Sequence, residues 1–460
     1  MDDGYSARTV AAISTPFGRG GIAVIRISGP DALKVGDAIF RCAGGRTLSG
    51  SVPGTTRYGS IIKRSEIIDD GMAVAFRAPR SFTGEDTVEI SCHGGVLISG
   101  EVLEAAFEAG ADPAGPGEFT KRAFMNGKMS LSSAEAVIDL IDSSSREAAR
   151  LARANASGAV SSKVSEIYDE LTALVSQAYV YADYPDEDLT DVTPSEMRER
   201  LLAAKEKTER LYLSYKSGRA ISEGIYTVII GRANSGKSSL LNRLLGKDRA
   251  IVSDTEGTTR DFIEESATVG RVILRLCDTA GIRNSEDEIE RIGIGRSLEQ
   301  LEKAELVYAL FDGSREITDQ DKLIIEKLRS CPAHKIAVIN KCDLNVKFEA
   351  DLSGFDRVVR ISALTGEGID DLKKISEELF VSGEIDYNSD PVVSSARQAA
   401  ALTRASEALE RAINALDNGF TQDIAGLDVE QALAAFGETD GRAVTLDIVD
   451  NIFHRFCVGK

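Results

Sequence analysis

The stretch Val228-Ile229-Ile230-Gly231-Arg232-Ala233-Asn234-Ser235-Gly236-Lys237-Ser238-Ser239 decides the fold of the middle of this chain. An apolar strand runs into a glycine, four further residues and then Gly-Lys-Ser, which is the spacing of a P-loop. In such a loop, backbone N–H groups and the start of the next helix form an anion site. Lys237 reaches the β- and γ-phosphates, and the Ser238 hydroxyl ligates Mg²⁺. A glycine-rich turn that matches by chance is the competing interpretation, but it leaves the strand–loop–helix order unexplained.

The composition limits the classes of protein that remain. With 460 residues, 43% of them hydrophobic, the chain is expected to form two to four domains with true cores. A net charge of −19 argues against a protein that coats nucleic acid, but it is compatible with a local basic patch or a basic partner. Six scattered cysteines without a Cys-x-x-Cys pair, and three histidines, argue against a zinc site or a disulfide framework. Because the start lacks a basic signal-peptide region and no apolar run approaches ~18 residues, we expect a cytoplasmic protein without a membrane span.

Hydrophobic periodicity divides the chain into four segments. Strand-like runs at 24–27, 72–76 and 88–91 and a helical pattern at 94–109 predict an α+β domain. Strand–helix alternation in the P-loop segment predicts a mostly parallel sheet wrapped by helices. The flanking segments have helical spacing, and two half-bundles would each lack a core, so we expect one helical bundle interrupted by the inserted domain. The predicted segments are 1–126 (α+β), 127–222 (helical, first part), 223–383 (inserted GTPase domain) and 384–460 (helical, second part).

Four further motifs complete a predicted guanine-nucleotide site. Asp278-Thr279-Ala280-Gly281 ends a strand, where the acid holds Mg²⁺ through water and the glycine N–H senses the γ-phosphate. Asn340-Lys341-Cys342-Asp343 selects guanine, because the Asp343 carboxylate accepts from guanine N1–H and the 2-amino group. Ser362-Ala363-Leu364 brings a backbone N–H to guanine O6, and Thr259 supplies a second hydroxyl to Mg²⁺. The predicted GTP-binding residues are Asn234, Ser235, Gly236, Lys237, Ser238, Ser239, Ser253, Asp254, Thr255, Glu256, Gly257, Thr258, Thr259, Asp278, Thr279, Ala280, Gly281, Asn340, Lys341, Asp343, Ser362, Ala363 and Leu364.

The five motifs together predict a Ras-like P-loop GTPase domain, but its machinery for hydrolysis departs from the Ras pattern. Ile282 stands where Ras-type enzymes have the glutamine that orients the attacking water. Glu290, which opens the following helix, is the predicted replacement; the alternative is an acid that only stabilises a helix N-terminus. A cation beside the γ-phosphate comes either from an arginine finger or from a monovalent metal ion held by Asn234 and loop 253–258. The alternative for Asn234 is a residue tolerated in a left-handed turn.

Arg26 is an unusual residue for an apolar strand. A charge there requires a partner, so we expect either an ion pair with a strand acid such as Glu89 or a ligand carboxylate. The glycine-bearing loops at 14–21 and 81–86 are predicted to be turns.

Motifs along the whole chain resemble the MnmE (TrmE) family of tRNA-modification GTPases. Most members have proline where this P-loop has Ala233. The motifs that carry the resemblance are the P-loop variant, Ser14-Thr15-Pro16-Phe17-Gly18-Arg19-Gly20-Gly21, Arg26-Ile27-Ser28-Gly29-Pro30, Ser81-Phe82-Thr83-Gly84-Glu85-Asp86, Pro116-Gly117-Glu118-Phe119-Thr120 and the terminal Phe456-Cys457-Val458-Gly459-Lys460.

The resemblance implies a function beyond nucleotide hydrolysis. The family acts with the flavoprotein MnmG, which alone carries FAD, to add an aminomethyl or carboxymethylaminomethyl group at C5 of the wobble uridine of certain tRNAs. The one-carbon donor is a tetrahydrofolate derivative (5-formyl or methylene form) bound by the N-terminal domain, which also forms the homodimer. With MnmG a heterotetramer is expected. GTP hydrolysis follows association of two GTPase domains with K⁺ in place of an arginine finger.

The resemblance also assigns residues to these roles. A regulatory GTP switch that binds a protein or ribosome partner without one-carbon chemistry is the alternative function. Cys457 is a candidate nucleophile near the folate, and the alternative is a small half-buried residue near the end of the sequence. The implied ligands are Arg26, Glu89, Lys128 and Lys460 for folate, Asn234, Ser253, Thr255 and Thr258 for K⁺, and Ser238 and Thr259 for Mg²⁺, with Glu290 as the catalytic carboxylate.

Overall fold

The computed structural model describes residues 8–183, 192–246, 265–276, 301–381, 390–454 and 456–460, and side chains throughout these ranges except at 180–183, 446 and 447. The chain forms two compact units, one of Met1–Ile138 with Gly437–Lys460 and one of Asp139–Phe436. The sequence analysis placed 384–460 with the helical domain, whereas the contacts of the chain group its last part with the N-terminal unit. None of the described helices is long and apolar enough to cross a bilayer.

The N-terminal unit is built on a seven-stranded sheet with the order β3-β4-β5-β6-β2-β1-β7. Helices α1 (Ala32–Ile39) and α2 (Val96–Glu108) contact this sheet and bury their apolar residues in the same core. The predicted strands and the predicted helix of this region are confirmed. The strands are β1 (Val10–Ile13), β2 (Ile22–Ser28), β3 (Phe40–Cys42), β4 (Arg57–Lys63), β5 (Glu66–Phe76), β6 (Thr87–His93) and β7 (Asp112–Pro113).

The alternation of side chains along β2 explains where Arg26 points. Ile25 and Ile27 are fully buried in the core on one face of the sheet. Because successive strand residues face opposite sides, Arg26 lies on the other face. In the antiparallel pairing of β2 with β6, its direct cross-strand neighbour is Glu89. The register therefore places the two charges side by side, away from the apolar core.

The end of the sequence completes the N-terminal unit. Helices α3 (Glu118–Met125), α4 (Leu131–Ile141) and α13 (Leu446–Phe453) supply most of a small apolar core, to which Phe456 also contributes. Beyond it, residues 457–460 form a tail along the chain at 116–119. The tail is held by hydrogen bonds from the Gly117 amide to Cys457 O (3.3 Å) and from the Phe119 amide to Lys460 O (3.0 Å).

The second unit contains the helical bundle. Helices on both sides of the inserted domain share one core, which includes Val164, Leu201, Leu409 and Phe436. This confirms the prediction of a single bundle interrupted by an insertion. Its helices are α5 (Arg146–Ala156), α6 (Ala159–Asp183), α7 (Pro194–Ser222), α11 (Ala396–Asp417) and α12 (Gln422–Asp440).

The inserted domain has a six-stranded sheet with the order β13-β12-β11-β8-β10-β9, parallel except for the pairing of β9 with β10. All residues of β11 are buried, since Tyr308 and Leu310 face one core while Val307 and Phe311 face the other. The predicted mostly parallel sheet is confirmed, and its strands are β8 (Ile225–Ile230), β9 (Glu265–Val269), β10 (Val272–Leu276), β11 (Leu306–Asp312), β12 (His334–Asn340) and β13 (Arg357–Arg360). The helices are α8 (Lys237–Leu245), α9 (Asp319–Arg329) and α10 (Ile369–Glu378).

Candidate functional site

The predicted P-loop lies between β8 and α8, at the carboxyl end of a central strand. Asn234 has φ 60° and Gly236 has φ 103°, so the backbone passes through the left-handed region twice before the helix begins. Such turns make backbone concavities that bind anions. The Lys237 ammonium donates to the carbonyl oxygens of Gly231 (2.8 Å) and Arg232 (2.9 Å). The loop thus has the left-handed turns expected of a P-loop, and the lysine side chain folds back over its carbonyl oxygens.

Asn340 joins the P-loop to the two motifs that follow β12 and β13. Its amide nitrogen donates to Ser235 O at 2.8 Å, and its amide oxygen accepts from the Ala363 N–H at 2.9 Å. The side chain is buried, and a Cβ on Gly236 would stand 2.1 Å from its nitrogen, so this approach requires glycine. Three motifs that are far apart in sequence therefore meet at one edge of the sheet.

Asp312, the last residue of β11, belongs to the same edge although the sequence analysis did not select it. Its buried carboxylate accepts from Lys341 Nζ at 2.7 Å and lies 3.6 Å from Arg232 Nη2. Burial opposes ionisation, but hydrogen bonds from Lys341 and Ser314 outweigh it and hold the pKa of the Asp312 carboxyl below its usual value. The sequence signal was an acid that ends a fully apolar strand, where a charge has to have a partner.

Part of the predicted site is outside the described residues. The described remainder includes Ser238 and Ser239 in α8, the buried Ser362, and the exposed Asp343 and Leu364. The predicted residues that the structure does not describe are Ser253, Asp254, Thr255, Glu256, Gly257, Thr258, Thr259, Asp278, Thr279, Ala280, Gly281 and Glu290.

A second candidate site lies in the N-terminal unit, on the face of the sheet that carries Arg26. The Arg26 guanidinium contacts Glu89 Oε1 through Nε and Nη2, both at 2.8 Å, so the predicted ion pair is confirmed. The same guanidinium lies 5.2 Å from the ring centre of Phe82 and 5.4 Å from that of Phe119, within the range of cation–π attraction. A cavity of about 310 Å³ opens beside the pair and is lined by Phe76, Arg80, Ser81, Phe82, Thr87 and Glu89.

Sequence reasoning missed the two phenylalanines and Arg80. All three belong to motifs that it quoted or adjoin them, but a phenylalanine in a glycine-bearing loop gives no local sign that it contacts a charge. The available signal was the pairing itself, because a charge on a strand needs neighbours from the loops that cross the same face of the sheet.

The other predicted folate residues lie around the same loops. Lys128 donates from its ammonium to Pro79 O at 2.9 Å, next to the loop that carries Phe82. Lys460 reaches the site through its backbone, because its carbonyl accepts from the amide of Phe119. Cys457 is exposed, and its carbonyl accepts from the Gly117 amide. Contacts thus link the residues that the resemblance implied, without bringing all four side chains together.

Arg122 fixes the loops that bear these residues. Its guanidinium, 3% exposed, pairs with Glu85 Oε2 at 2.9 Å and with Glu118 Oε1 at 2.8 Å. The Ser28 hydroxyl donates to Glu85 at 2.9 Å. Loop 81–86, the end of β2 and the start of α3 are therefore joined by one buried ionic network.

A P-loop whose strand edge also carries an Asn-Lys-x-Asp motif defines the P-loop GTPases as the class of this protein. Two family models match the chain: "GTP-binding protein TrmE N-terminus" over residues 9–128 and "MnmE helical domain" over residues 131–457. The chain belongs to the MnmE (TrmE) family of tRNA modification GTPases.

Relatives match over nearly the full length. The tRNA modification GTPase MnmE of Clostridioides difficile (strain 630) is 39% identical over 98% of this chain and 99% of its own. The MnmE of Bacillus velezensis is 40% identical over 98% of this chain and 100% of its own. The MnmE of Bacillus subtilis (strain 168) is 39% identical over 98% of this chain and 100% of its own. Among solved structures, the G domain of the T. maritima FeoB iron transporter matches at 24% identity and a TM-score of 0.22, covering 33% of this chain and 98% of that one. The assignment follows from the family models and the full-length relatives.

Proposed function

We propose that this chain is a K⁺-stimulated GTPase that modifies C5 of the wobble uridine of certain tRNAs together with an MnmG-type flavoprotein. The cavity beside Arg26 and Glu89 is the observation that carries the proposal, because the P-loop domain alone fits a regulatory GTP switch equally well. A regulatory GTP switch does not need a cavity beside a partly buried, aromatic-flanked ion pair in a separate unit. The membership of the chain in a family of tRNA modification GTPases supports the same conclusion.

The guanine-nucleotide site divides its tasks among the motifs. Lys237 and the P-loop amides bind the phosphates, and Asp343 and the loop 362–364 select the base. Ser238 and Thr259 would hold Mg²⁺, which neutralises phosphate charge when bound. Glu290 orients or activates the attacking water, since Ile282 has no polar group for that task.

Asn234 is the proposed K⁺ ligand on the P-loop, with Ser253, Thr255 and Thr258 completing the set. Asn234 has a left-handed backbone (φ 60°) and is exposed, so its side-chain amide is accessible to a metal ion. Held by these residues, K⁺ would supply positive charge next to the γ-phosphate when two GTPase domains associate. We expect GTP turnover to be faster in K⁺ than in Na⁺ at equal ionic strength, and Asn234→Ala to abolish the difference. Equal rates of the unsubstituted protein in both salts would contradict this assignment.

The chemistry of the cavity in the N-terminal unit suits the pterin part of a tetrahydrofolate derivative. About 310 Å³ is at the lower end for small-molecule sites, which combine aromatic walls with a few polar groups. Arg26 occupies Oε1 of Glu89, and within the described residues Oε2 has no protein hydrogen bond. This oxygen suits the N–H groups of a pterin, while Arg80, Lys128 and Lys460 suit the carboxylates of the glutamate moiety.

The tRNA is proposed to bind mainly through the partner. Phosphate contacts need lysine and arginine, and this chain has a net charge of −19. The flavoprotein therefore contributes both FAD and most of the basic surface in the proposed heterotetramer, which forms around a homodimer of this chain. Binding of labelled tRNA with and without the flavoprotein tests this division, and strong binding by this chain alone would contradict it.

Titration of the full chain with 5-formyltetrahydrofolate, followed by calorimetry, tests the central proposal. Binding should be saturable, and Arg26→Met should weaken it about tenfold or more, because the substitution leaves Glu89 without its partner. Arg41→Met is the matched control, since Arg41 is exposed on β3 of the same sheet. Absence of binding to the unsubstituted chain would favour the GTP switch.

A further inference from the structure

Arg243 connects the phosphate helix to the loop that reads the base. It lies near the end of α8, whose first residue is the P-loop lysine. Its Nε donates to Ala363 O at 3.3 Å, and its Nη2 donates to Leu364 O. A Cβ built on Gly366 would lie 3.5–3.7 Å from three atoms of the guanidinium. The turn at 363–366 therefore packs against the guanidinium of Arg243.

Other forces hold this turn only in part. Internal hydrogen bonds close it, from the Thr365 amide to Ser362 Oγ at 3.1 Å and from the Gly366 amide to Ser362 O at 2.8 Å. The Leu364 side chain, however, is 79% exposed, so apolar packing does not fix the tip. The Arg243 contacts to the two carbonyls supply the anchor there.

The amide available to guanine O6 can be identified from the same contacts. The Ala363 N–H is engaged by Asn340 Oδ1 at 2.9 Å. The Leu364 N–H makes no hydrogen bond to any described residue. In a planar trans peptide, the C=O of one residue and the N–H of the next point in opposite directions. By holding Ala363 O, Arg243 therefore sets the direction of the Leu364 N–H.

We propose that Arg243 is a positioning residue that determines base specificity, because it aims the Leu364 N–H at O6 of guanine. The inference rests on the proposed guanine-nucleotide site and adds the residue that orients its O6 contact. It also gives α8 two tasks, with Lys237 at its start on the phosphates and Arg243 near its end on the base loop.

The test compares GDP with 6-thio-GDP, which keeps the N1–H and 2-amino groups but replaces O6 by a weak acceptor, sulfur. Affinities of the full chain for both nucleotides are measured by calorimetry. The unsubstituted protein should prefer GDP by about fivefold, the value of one neutral hydrogen bond. Arg243→Gln should weaken the affinity for GDP by about fivefold and leave the affinity for 6-thio-GDP nearly unchanged. The preference for GDP should therefore fall below about twofold. Arg243→Lys should be intermediate, since an ammonium lacks the planar fork that spans two carbonyls.

Two variants separate this inference from its alternatives. Arg360→Gln removes an exposed arginine from β13, just before the same loop, and should keep the preference. Asp343→Asn should weaken the binding of both nucleotides to the same extent, and should therefore also keep the preference for GDP. An equal loss of both nucleotides in Arg243→Gln, or an unchanged preference, would overturn the inference while leaving the guanine site intact. Failure of the unsubstituted chain to bind GDP would instead refute the proposed nucleotide site.

Discussion

Replacing Gly459 by alanine should release the tail 457–460 from the N-terminal unit. Gly459 has φ 99°, a conformation that costs an alanine about 1–2 kcal/mol, and a Cβ there would stand 2.0 Å from Ile13 O. No side-chain rotation relieves a contact between a Cβ and a backbone oxygen. The tail must therefore move away from the β1 end.

The cost follows from the contacts that hold the tail. Its carbonyl groups accept three hydrogen bonds, from the hydroxyl of Ser14 to Gly459 O (2.7 Å) and from the amides of Gly117 and Phe119. At about 1 kcal/mol for each hydrogen bond, docking of the tail contributes about 3 kcal/mol to stability. The substitution cannot destabilise the protein by more than this, because the tail escapes the clash when it undocks. An amide protected by the tail should then exchange its hydrogen about a hundredfold faster.

Hydrogen exchange at the Phe119 amide, the donor to Lys460 O, is the direct measurement. Gly110→Ala is the matched control, because Gly110 has φ 109° in the same unit but a Cβ there would have no neighbour within 4 Å. The control should show only backbone strain, about 1–2 kcal/mol in urea unfolding, with unchanged exchange at Phe119. If Gly459→Ala also leaves Phe119 exchange unchanged, the tail is not held by this close approach.

Two further substitutions probe buried charges. Arg122→Met should lower the free energy of unfolding by about 3–5 kcal/mol in urea titrations, because it leaves the buried Glu118 and the partly buried Glu85 without their cation, and adding Glu85→Gln should restore part of the loss. Asp312→Asn should weaken GDP binding in calorimetric titrations, because Lys341 of the guanine motif loses the carboxylate that holds it. The folded-state pKa of Asp312 is depressed, so its stabilisation is present above the unfolded pKa of about 4 and is lost as pH falls through the folded pKa; Asp312→Asn should remove that acid-dependent loss from unfolding curves.

Much of the fold was predictable because it depends on the local periodicity of hydrophobic residues. The buried run of β11 and the alternation of β2 each follow from which side chains face a core. The P-loop was predictable for a similar reason, since its glycine, lysine and serine act within a dozen consecutive residues. Each of these features depends on short-range order.

The contacts that refine the sites were not predictable in this way. The sequence left open whether Arg26 pairs with a strand acid or with a ligand carboxylate. The register of β2 with β6 places Glu89 opposite it, and the two side chains form the ion pair. Arg243 acts on carbonyls 120 residues away, and backbone acceptors have no side-chain signature. Asp312 is similar, because an acid that ends a strand does not reveal that its partner is Lys341.

The docked tail has a consequence for the order in which the molecule assembles. Residues 437–460, which complete the N-terminal unit, are separated from its sheet along the chain by the whole of the second unit, and closing so long a loop costs entropy. We therefore expect the amides of the nucleotide-binding domain to become protected from exchange first. Those of the N-terminal unit that depend on residues 437–460 should become protected only after this distant segment has docked. In pulse-labelled exchange during refolding, the amide of Phe119 should therefore become protected after that of Tyr308 in β11. Simultaneous protection would mean that both units fold as one.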